Sequence, residues 1–364
     1  MRAFNVRNVS EALYVVNEEI RVDGVQQDTR NGPALEFPEP VAITYQKPWE
    51  RVLFYPLRDA NPFFHLLESL WMLAGRNDVK WIQRFNNQMS VYSDNGSTFH
   101  GAYGHRWRNH FFEDQLPVII HRLKTYPNDR RCVLGMWDPT TDLVAGNKNV
   151  DLPCNTHIYF RIDKRNRLHM TVCNRSNDMI WGALGANAVH MSYLQEYIAA
   201  MVGCDIGPYT QFSNNFHAYL ETLSKLDGLQ PEYDPYLQLR QKSQRRLALV
   251  NDTNKFDSDL KTFIEYIGSG DLVAALPEQL RKTENNFFRG VAVPIATAYL
   301  QYKQYKSTQE VPYLLHAQET VQSIQAPDWQ RACHEWLNRR AAKAGFKVLA
   351  PEEEYGCAGA KAPR

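Results

Sequence analysis

The chain has 364 residues, which is enough for one large domain or two ordinary ones. Its 44% of hydrophobic and 22% of charged residues are typical of a soluble globular protein. The 41 Lys and Arg residues nearly balance the 40 Asp and Glu residues, so no global charge favours a nucleic-acid or membrane partner, and any anion site must be local.

No apolar run is long enough to span a bilayer, and the N-terminus lacks the apolar segment of a signal peptide, so we expect a cytoplasmic protein. The sequence contains no Gly-rich phosphate loop and no spacing typical of a metal site. Its six cysteines are scattered without a C-x-x-C pair, which favours reduced thiols over disulfides or zinc.

Residues 1–27 are predicted to be a helix followed by a turn, residues 28–33 a turn cluster, and residues 41–55 strands. Arg30 lies in the turn cluster, where a guanidinium group can bind phosphate oxygens in bidentate fashion. A solvated surface charge is the simpler interpretation of Arg30 taken alone.

Residues 62–75 are predicted to be a helix, because apolar residues recur at helical spacing between Pro62, suited to a first turn, and Gly75, suited to a stop. Glu68 lies beside the apolar stripe, where loss of solvation would suit a carboxylate to carry protons near neutral pH. Alternatively Glu68 lies at the edge of the stripe and faces water, the simpler interpretation of this segment alone.

Two further segments carry aromatic and basic candidates. Trp107, in the segment 101–108, can be a stacking wall for a flat ring or ordinary packing. Arg130 and Arg131 precede the predicted strand 132–137 and should project to opposite faces. Either one of them binds an anion or both reach across a subunit interface.

A predicted hairpin forms the centre of the chain, with strands at 157–162 and 168–174 and a charged turn between them. Cys154 lies just before the first strand and Arg175 just after the second, so antiparallel pairing brings them together. A cationic neighbour favours the thiolate, which is the nucleophilic form of cysteine.

Ser176 and Asp178 follow Arg175 at the same end of the hairpin. This cluster predicts a covalent cysteine enzyme that acts on an anionic small molecule, although a lone cysteine at a strand edge is usually inert.

Asn187 stands at the start of a predicted helix over 189–202, where it can cap the helix or read the edge of a ring through its amide. Residues 213–219 are predicted to start another helix. Within them, His217 and Tyr219 can bond a sugar hydroxyl or belong to a capping turn.

From about residue 229 the pattern changes to short helices separated by Pro and Gly, and the end of the chain is predicted to be disordered. The predicted helices are 258–268, 271–282, 291–306, 312–325 and 328–344.

Taken in order, these segments resemble thymidylate synthase and its relatives, the pyrimidine nucleotide hydroxymethylases, over residues 28–220. Each motif is weak alone, but six or seven in the family's order form a specific signal. Tyr103–Arg108 is similar to the family's Tyr-Gly-x-x-Trp-Arg motif. The resemblance implies the following roles: Cys154, Glu68, Asn187, Asn155 and Trp107 for catalysis, with Asn187 reading the base; Asp178 and Trp107 for the folate; Arg30, Arg175 and Ser176 for phosphate; Arg130 and Arg131 for the partner's phosphate; and His217 and Tyr219 for ribose.

Departures from the synthase pattern favour the phage-type hydroxymethylases. Asn155 follows the nucleophile where synthases have His, and Asn177 stands within an Arg-Ser-Asn-Asp run. His110 replaces the second tryptophan of the Tyr-Gly motif, and a helical extension replaces the apolar C-terminal tail. A more polar wall at Asn155 and His110, without a closing tail, should make the site wetter.

The resemblance implies that the Cys154 thiolate adds to C6 of a pyrimidine 5'-monophosphate. C5 then takes a one-carbon unit from 5,10-methylenetetrahydrofolate, and elimination leaves an exocyclic methylene. A synthase passes hydride to that methylene, whereas a hydroxymethylase admits water. Glu68 would carry the protons in either case.

Uracil N3–H and O4 need an acceptor and a donor, which Asn187 offers, and cytosine inverts that need. An amide can flip, however, and the chain has one extra residue between Arg175 and Asn187 relative to the family pattern. The leading hypothesis is a dUMP hydroxymethylase. The alternatives are a dCMP or CMP hydroxymethylase, a thymidylate synthase that makes dTMP, and a non-catalytic nucleotide-binding scaffold of a nucleotide-synthesis complex.

The resemblance implies an α/β fold with a mixed twisted β-sheet flanked by helices over residues 1–245, a helical extension over 246–349 and a disordered tail over 350–364. It implies a cytoplasmic one-carbon transferase (of the host cytoplasm if phage-encoded) with a folate co-substrate and no metal. It also implies a homodimer through the sheet, in which Arg130 and Arg131 complete the partner's site.

Overall fold

The computed structural model of the chain describes residues 1–144, 149–231, 235–237, 247–270 and 276–346, so the predicted tail lies outside it. Within these residues one mixed sheet has the strand order β1-β4-β8-β7-β6-β5, and a β2–β3 hairpin joins β8 through β3. The strands are Arg2–Val6 (β1), Val25–Thr29 (β2), Gly32–Glu36 (β3), Val41–Tyr45 (β4), Val133–Gly135 (β5), Asn155–Ile162 (β6), Arg167–Asp178 (β7) and Asp205–Tyr219 (β8).

The pairs β1–β4 and β7–β8 are parallel and the other pairs are antiparallel, which confirms the predicted mixed α/β sheet. Helices bury one face of this sheet. The α-helices are Val9–Asp23 (α1), Pro62–Leu73 (α2), Val79–Ile82 (α3), Tyr103–Arg108 (α4), Gln115–Thr125 (α5), Pro139–Asp142 (α6), Asn187–Val202 (α7), Leu220–Leu223 (α8), Phe256–Ser269 (α9), Glu278–Lys282 (α10), Val293–Thr308 (α11), Val311–Gln322 (α12) and Pro327–Lys343 (α13).

The prediction of a helix starting at residue 213 is wrong. Residues 213–219 are the last part of β8, and the helix begins only at Leu220. Ser213 pairs with Val41 on one side and Asn174 on the other, so strands on both sides hold this Asn-rich segment extended. Cross-strand pairing therefore overrides its weak local β propensity.

The N-terminal prediction is wrong in part as well. A strand, β1, precedes the predicted helix, and β2 follows it, so that Arg30 lies at the tip of the β2–β3 hairpin. Residues 52–54 are buried but are not a strand. The backbone N–H of Val52 donates instead to the hydroxyl of Tyr236, 3.0 Å away.

The Gly/Ala stretch before α7 forms π-helical turns over Met179–Ala186, with Asp178 as the N-cap residue. The wider i→i+5 bonds, such as that from the Asn187 N–H to the Gly182 carbonyl, accommodate an additional residue. Helix α7 then begins at Asn187, whose side chain does not cap it.

The helical extension packs directly on α2, the helix that carries Glu68. Phe63 stacks on Tyr299 with ring centroids 5.1 Å apart and meets the edge of Trp336 at 5.5 Å. Asp59, just before α2, accepts hydrogen bonds from Arg340 at 2.6 and 2.7 Å. The extension and the sheet region thus share one continuous buried core.

Across the described ranges, no helix has the length and apolar character that crossing a bilayer requires.

Candidate active site

Cys154 lies at the start of β6, where the ends of the central hairpin meet as predicted. Its carbonyl accepts the backbone N–H of Arg175 at 2.9 Å, and the hydroxyl of Tyr103 lies against its thiol. Burial raises the pKa of the Cys154 thiol, and neither the charge of Arg175 nor the Tyr103 hydrogen bond overcomes that effect. The charge of Arg175 thus acts on the thiol in the predicted direction, but burial has the larger effect on its pKa.

The side chain of Arg175 holds the segment that precedes the nucleophile. Its guanidinium group donates to the carbonyls of Pro153 and Leu152 at 3.0 and 3.2 Å and lies over the ring of Trp137. Because Arg175 is exposed, its remaining N–H groups are open to an anion.

Asn155 is fully buried behind the nucleophile, at a bulge in the β6–β7 pairing. Its Nδ2 donates to Oδ1 of Asn174, and Asn174 Nδ2 donates to the Phe212 carbonyl at 3.1 Å. Oδ1 of Asn155 accepts no hydrogen bond from the described residues. An acceptor of this kind adjoining the nucleophile is suited to a water molecule or a ligand N–H.

A chain of buried amides, which we call the amide relay, leads to Asn187. Asn187 Nδ2 donates to Asn177 Oδ1 at 3.0 Å. Asn177 Nδ2 donates in turn to Gln211 Oε1 at 3.0 Å and to Ser213 Oγ at 3.1 Å. Gln211 Nε2 donates to the carbonyl of Ala183 at 2.7 Å. Asn177 and Gln211 were not among the predicted site residues.

Asp178 caps the π-helical turns by accepting the Trp181 N–H through Oδ1. Its Oδ2 is buried and accepts no hydrogen bond from the described residues. Burial raises the pKa of Asp178, and backbone N–H groups together with nearby His217 oppose that rise. A buried acceptor without a partner is suited to a group that donates an N–H or O–H.

Trp181 presents the exposed aromatic surface that the sequence prediction assigned to Trp107. It is 54% exposed, and one face of its ring is covered by the guanidinium of Arg58, 4.5 Å from the ring centroid. Arg58 is itself buried and donates to the Ile180 carbonyl, and burial lowers its pKa to about 10 although Asp178 lies near.

Trp107 is completely buried, and its indole N–H contacts the sulfur of Met136 at 3.4 Å. Its position fits the packing alternative.

Glu68 faces the inside of the molecule, in contrast to the interpretation that it points to water. Its Oε2 lies 3.2 Å from Nε2 of His190, a buried residue one turn after Asn187 on α7. This is the only polar contact of Glu68 within the described ranges. The ring of His65 meets that of His190 edge-on, and burial, with smaller effects of His190 and Arg58, lowers the pKa of His65 well below its usual value.

The predicted sugar and phosphate residues lie along the ends of β7 and β8. His217 pairs with Asp178 across the strands, and its Nδ1 lies 2.8 Å from Asn215 Oδ1. Ser176 Oγ contacts the same oxygen at 3.4 Å. Tyr219 accepts the amide of Asn31, which places the hairpin tip with Arg30 next to this end. Burial lowers the pKa of His217, with Asp178 and Glu36 opposing.

Arg130 and Arg131 precede β5, as predicted, and neither bonds to the Cys154 cluster within the described ranges. Arg131 pairs with Asp129 at 2.9 Å and keeps 74% of its side chain exposed. Arg130 is exposed as well.

His110 lines a polar cavity of about 410 Å³ together with His100, His105 and Asp94. Asp94 accepts the N–H groups of residues 150 and 151, just before the nucleophile. The predicted polar wall at His110 is thus next to a water-accessible space. Within the described ranges, no group of three or more His, Cys, Asp or Glu residues could hold a metal.

The described residues thus include a thiol at the hairpin end, an oriented amide at Asn187 and a carboxylate–imidazole contact between Glu68 and His190. A sequence model described as Thymidylate synthase matches residues 57–264. The chain belongs to the thymidylate synthase family. Within this family, the chain is 46% identical to the deoxyuridylate hydroxymethyltransferase of Pseudomonas phage M6, over 94% of this chain and 95% of that protein.

Two other members of the family are less similar and match a smaller share of this chain. The deoxyuridylate hydroxymethyltransferase of Bacillus phage SP01 is 31% identical over 69% of this chain and 73% of its own length. A putative thymidylate synthase of Methanothermobacter thermautotrophicus is 29% identical over 60% of this chain and 93% of its own length.

Proposed function

We propose that the protein is a dUMP hydroxymethylase that makes 5-hydroxymethyl-dUMP. The observation that carries this proposal is the similarity to the phage M6 hydroxymethyltransferase, which extends through the helical extension as well as the catalytic region. The polar surroundings of the nucleophile, with Asn155 behind it and His110 at a polar cavity, support the addition of water rather than hydride.

In this function Cys154 forms a bond to C6 of the pyrimidine, which makes C5 nucleophilic. C5 bonds to the one-carbon unit of the co-substrate, 5,10-methylenetetrahydrofolate. Loss of the C5 proton and departure of tetrahydrofolate then leave an exocyclic methylene. Glu68 takes the proton of the water that adds to the exocyclic methylene, and departure of Cys154 restores the ring double bond. The oxygen of the new hydroxymethyl group therefore comes from water.

In this proposal the candidate site residues bind three parts of the substrates: the phosphate, the sugar and the folate. Arg30, Arg175 and Ser176 bind the phosphate, and His217 and Tyr219 bind the sugar. Asp178, with its open Oδ2, and the exposed Trp181 hold the co-substrate. The guanidinium group of Arg58 covers the other face of the Trp181 indole.

The active form would be a homodimer. On the sheet face opposite the helices, Val133 and Tyr159 pair across β5 and β6 and are 42% and 45% exposed, which is typical of an interface that a partner covers. Dimerisation through this face would give Arg130 and Arg131, which do not serve their own site, a phosphate to bind in the partner. The protein would act in the cytoplasm of the host cell if a phage encodes it.

Product analysis tests the proposal. Purified protein is incubated with methylenetetrahydrofolate and, separately, dUMP, dCMP or CMP in isotope-labelled water, and each nucleotide is analysed by mass spectrometry. We expect only dUMP to react and its product to carry one oxygen from water, without dihydrofolate formation. Formation of dTMP with dihydrofolate would establish a thymidylate synthase instead, and a product from dCMP would assign the other base.

A further inference from the structure

The amide relay ends on a backbone carbonyl, and this gives it a direction. A carbonyl can only accept, so Gln211 must turn its Nε2 toward the Ala183 carbonyl. The Gln211 Oε1 then faces Asn177, which must donate a hydrogen bond to it from Nδ2. The Oδ1 of Asn177 is thereby left to accept from Asn187.

Flipping any amide of the relay would place two donors or two acceptors against each other. The three side chains are at most 6% exposed, so water cannot easily relieve such a mismatch. A buried polar group left unpaired lowers the stability of that arrangement. The orientation of Asn187 is therefore set by Ala183, two side chains away from it.

Asn187 consequently has one fixed amide edge left for a ligand. Its Oδ1 accepts no hydrogen bond from the described residues, and its Nδ2 has one hydrogen left after bonding Asn177. An acceptor beside a donor complements N3–H and O4 of uracil. The N3 and N4 of cytosine would meet Oδ1 and Nδ2 with like polarity.

We propose that Gln211 and Asn177 are specificity-determining residues that select uracil over cytosine without touching the base, by locking the amide of Asn187 through the Ala183 carbonyl. This inference rests on the proposed function for the presence of a pyrimidine nucleotide, and it assigns the choice of base to the relay.

The π-helical turns supply both the anchor and the room for the relay. Ala183 lies within them, and Gly182 packs on the relay itself. A Cβ at Gly182 would lie 2.7 Å from Asn177 Oδ1 and 3.5 Å from Asn187 Nδ2. Any larger residue at this position would push apart the bond that orients Asn187.

The test measures dUMP and dCMP binding to the full chain by titration calorimetry, with nucleotide alone. Gln211→Met removes the anchor at similar size. The matched control is Gln195→Met, because Gln195 is equally buried and also donates to backbone carbonyls but lies outside the relay. We expect the dCMP/dUMP ratio of Kd values to fall at least about tenfold in Gln211→Met, the change expected from one lost orienting interaction of about 1.4 kcal/mol.

The Gln195→Met control should keep the wild-type ratio. If Gln211→Met proves unfolded in thermal melts, Gly182→Ala provides the second test, because it disturbs the Asn177–Asn187 bond without changing a relay atom. It should lower the ratio in the same way.

An unchanged ratio in the folded variants, or a wild type that binds dCMP at least as tightly as dUMP, would overturn the assignment. A wild type that binds dUMP selectively but yields dTMP would refute the hydroxymethylase proposal and leave the relay standing. Failure to bind either nucleotide would overturn both.

Discussion

The amide relay and the Glu68–His190 pair each include one residue of helix α7, Asn187 and His190, which are one turn apart. They differ in how many hydrogen-bond partners their side chains have. Beyond Asn187, the amide nitrogen and oxygen of both Asn177 and Gln211 have partners, and the last partner is a backbone carbonyl. Glu68 and His190 have one contact, at 3.2 Å, and His190 Nε2 makes no aligned hydrogen bond to the described residues.

This difference matches the two tasks. Recognition of a base needs an amide that does not turn, and a closed network provides that. Proton transfer needs a group that can change its partner during the reaction. A carboxylate with one imidazole contact retains that freedom.

The largest expected effect is that of replacing the nucleophile, which should remove catalysis and leave base recognition intact. Cys154→Ala should abolish turnover of dUMP and release of tritium from C5-labelled dUMP, because no covalent bond to C6 can form. The relay is untouched, so dUMP should still bind within about threefold of wild type on the scale where tenfold is 1.4 kcal/mol. Calorimetry together with a tritium-release assay measures both, and residual tritium release would contradict a Cys154 adduct.

Changes at the Glu68–His190 pair should affect rate and not base choice. We expect Glu68→Gln to lower kcat about 10²–10⁴-fold, the usual contribution of general acid–base catalysis, and His190→Leu to lower it at least about tenfold, with dUMP binding retained. His334→Leu is the control, because His334 is a buried histidine of the extension. A loss of uracil preference in His190→Leu would show that the two features are not separate.

Trp181→Ala tests whether the exposed ring of Trp181 binds the co-substrate. We expect the KM for methylenetetrahydrofolate to rise about tenfold, because aromatic pairs contribute about 0.5–1.5 kcal/mol beyond area burial. The dUMP/dCMP preference should stay as in wild type, and Trp181→Phe should restore much of the loss. Steady-state kinetics with each substrate varied in turn distinguishes this from a general loss of activity.

The smallest effect is expected behind α2, at Asp59. Burial would raise the pKa of Asp59, but hydrogen bonds and charges from Arg340 and Arg339 outweigh it and lower the pKa. Because the pKa of Asp59 is lower in the folded than in the unfolded protein, the ion pair stabilises the fold at pH values above the unfolded-state pKa. This stabilisation is lost as the pH falls through the folded-state pKa. Asp59→Asn should thus lower Tm by about 1–3 °C near neutral pH, as expected for a partly exposed pair.

The same melts at progressively lower pH should bring the wild type and Asp59→Asn closer together, because the folded-state carboxyl is protonated as the pH falls through its lowered pKa. A difference that grows toward low pH would contradict this assignment.

The sequence predicted the parts of the site that follow from local pattern. Ends of an antiparallel hairpin adjoin, so Cys154 and Arg175 could be placed together from spacing alone. Asn187 was also expected at the site, but its orientation was open. The residues that fix it, Asn177 and Gln211, belong to different strands, and their contact depends on the β7–β8 pairing.

Other omissions have similar causes. His190 lies in a continuous apolar helix and resembles core material until its distance to Glu68 is known. Arg58 and Trp181 meet across more than a hundred residues of chain. The mistaken helix at 213–219 arose because Ser and Asn favour caps and turns, whereas pairing on both sides decided the conformation.

The stacking of the extension on α2 also constrains how the protein is made. Tyr299 receives the amide of Asn61 across 238 positions, so ribosomes that add about 5–20 residues per second leave the outer face of α2 uncovered for about 10–50 s. During that interval the nascent chain exposes Phe63 and its neighbours, a segment that chaperones would bind. The glutamate helix reaches its working position only when almost the whole polypeptide has been synthesised.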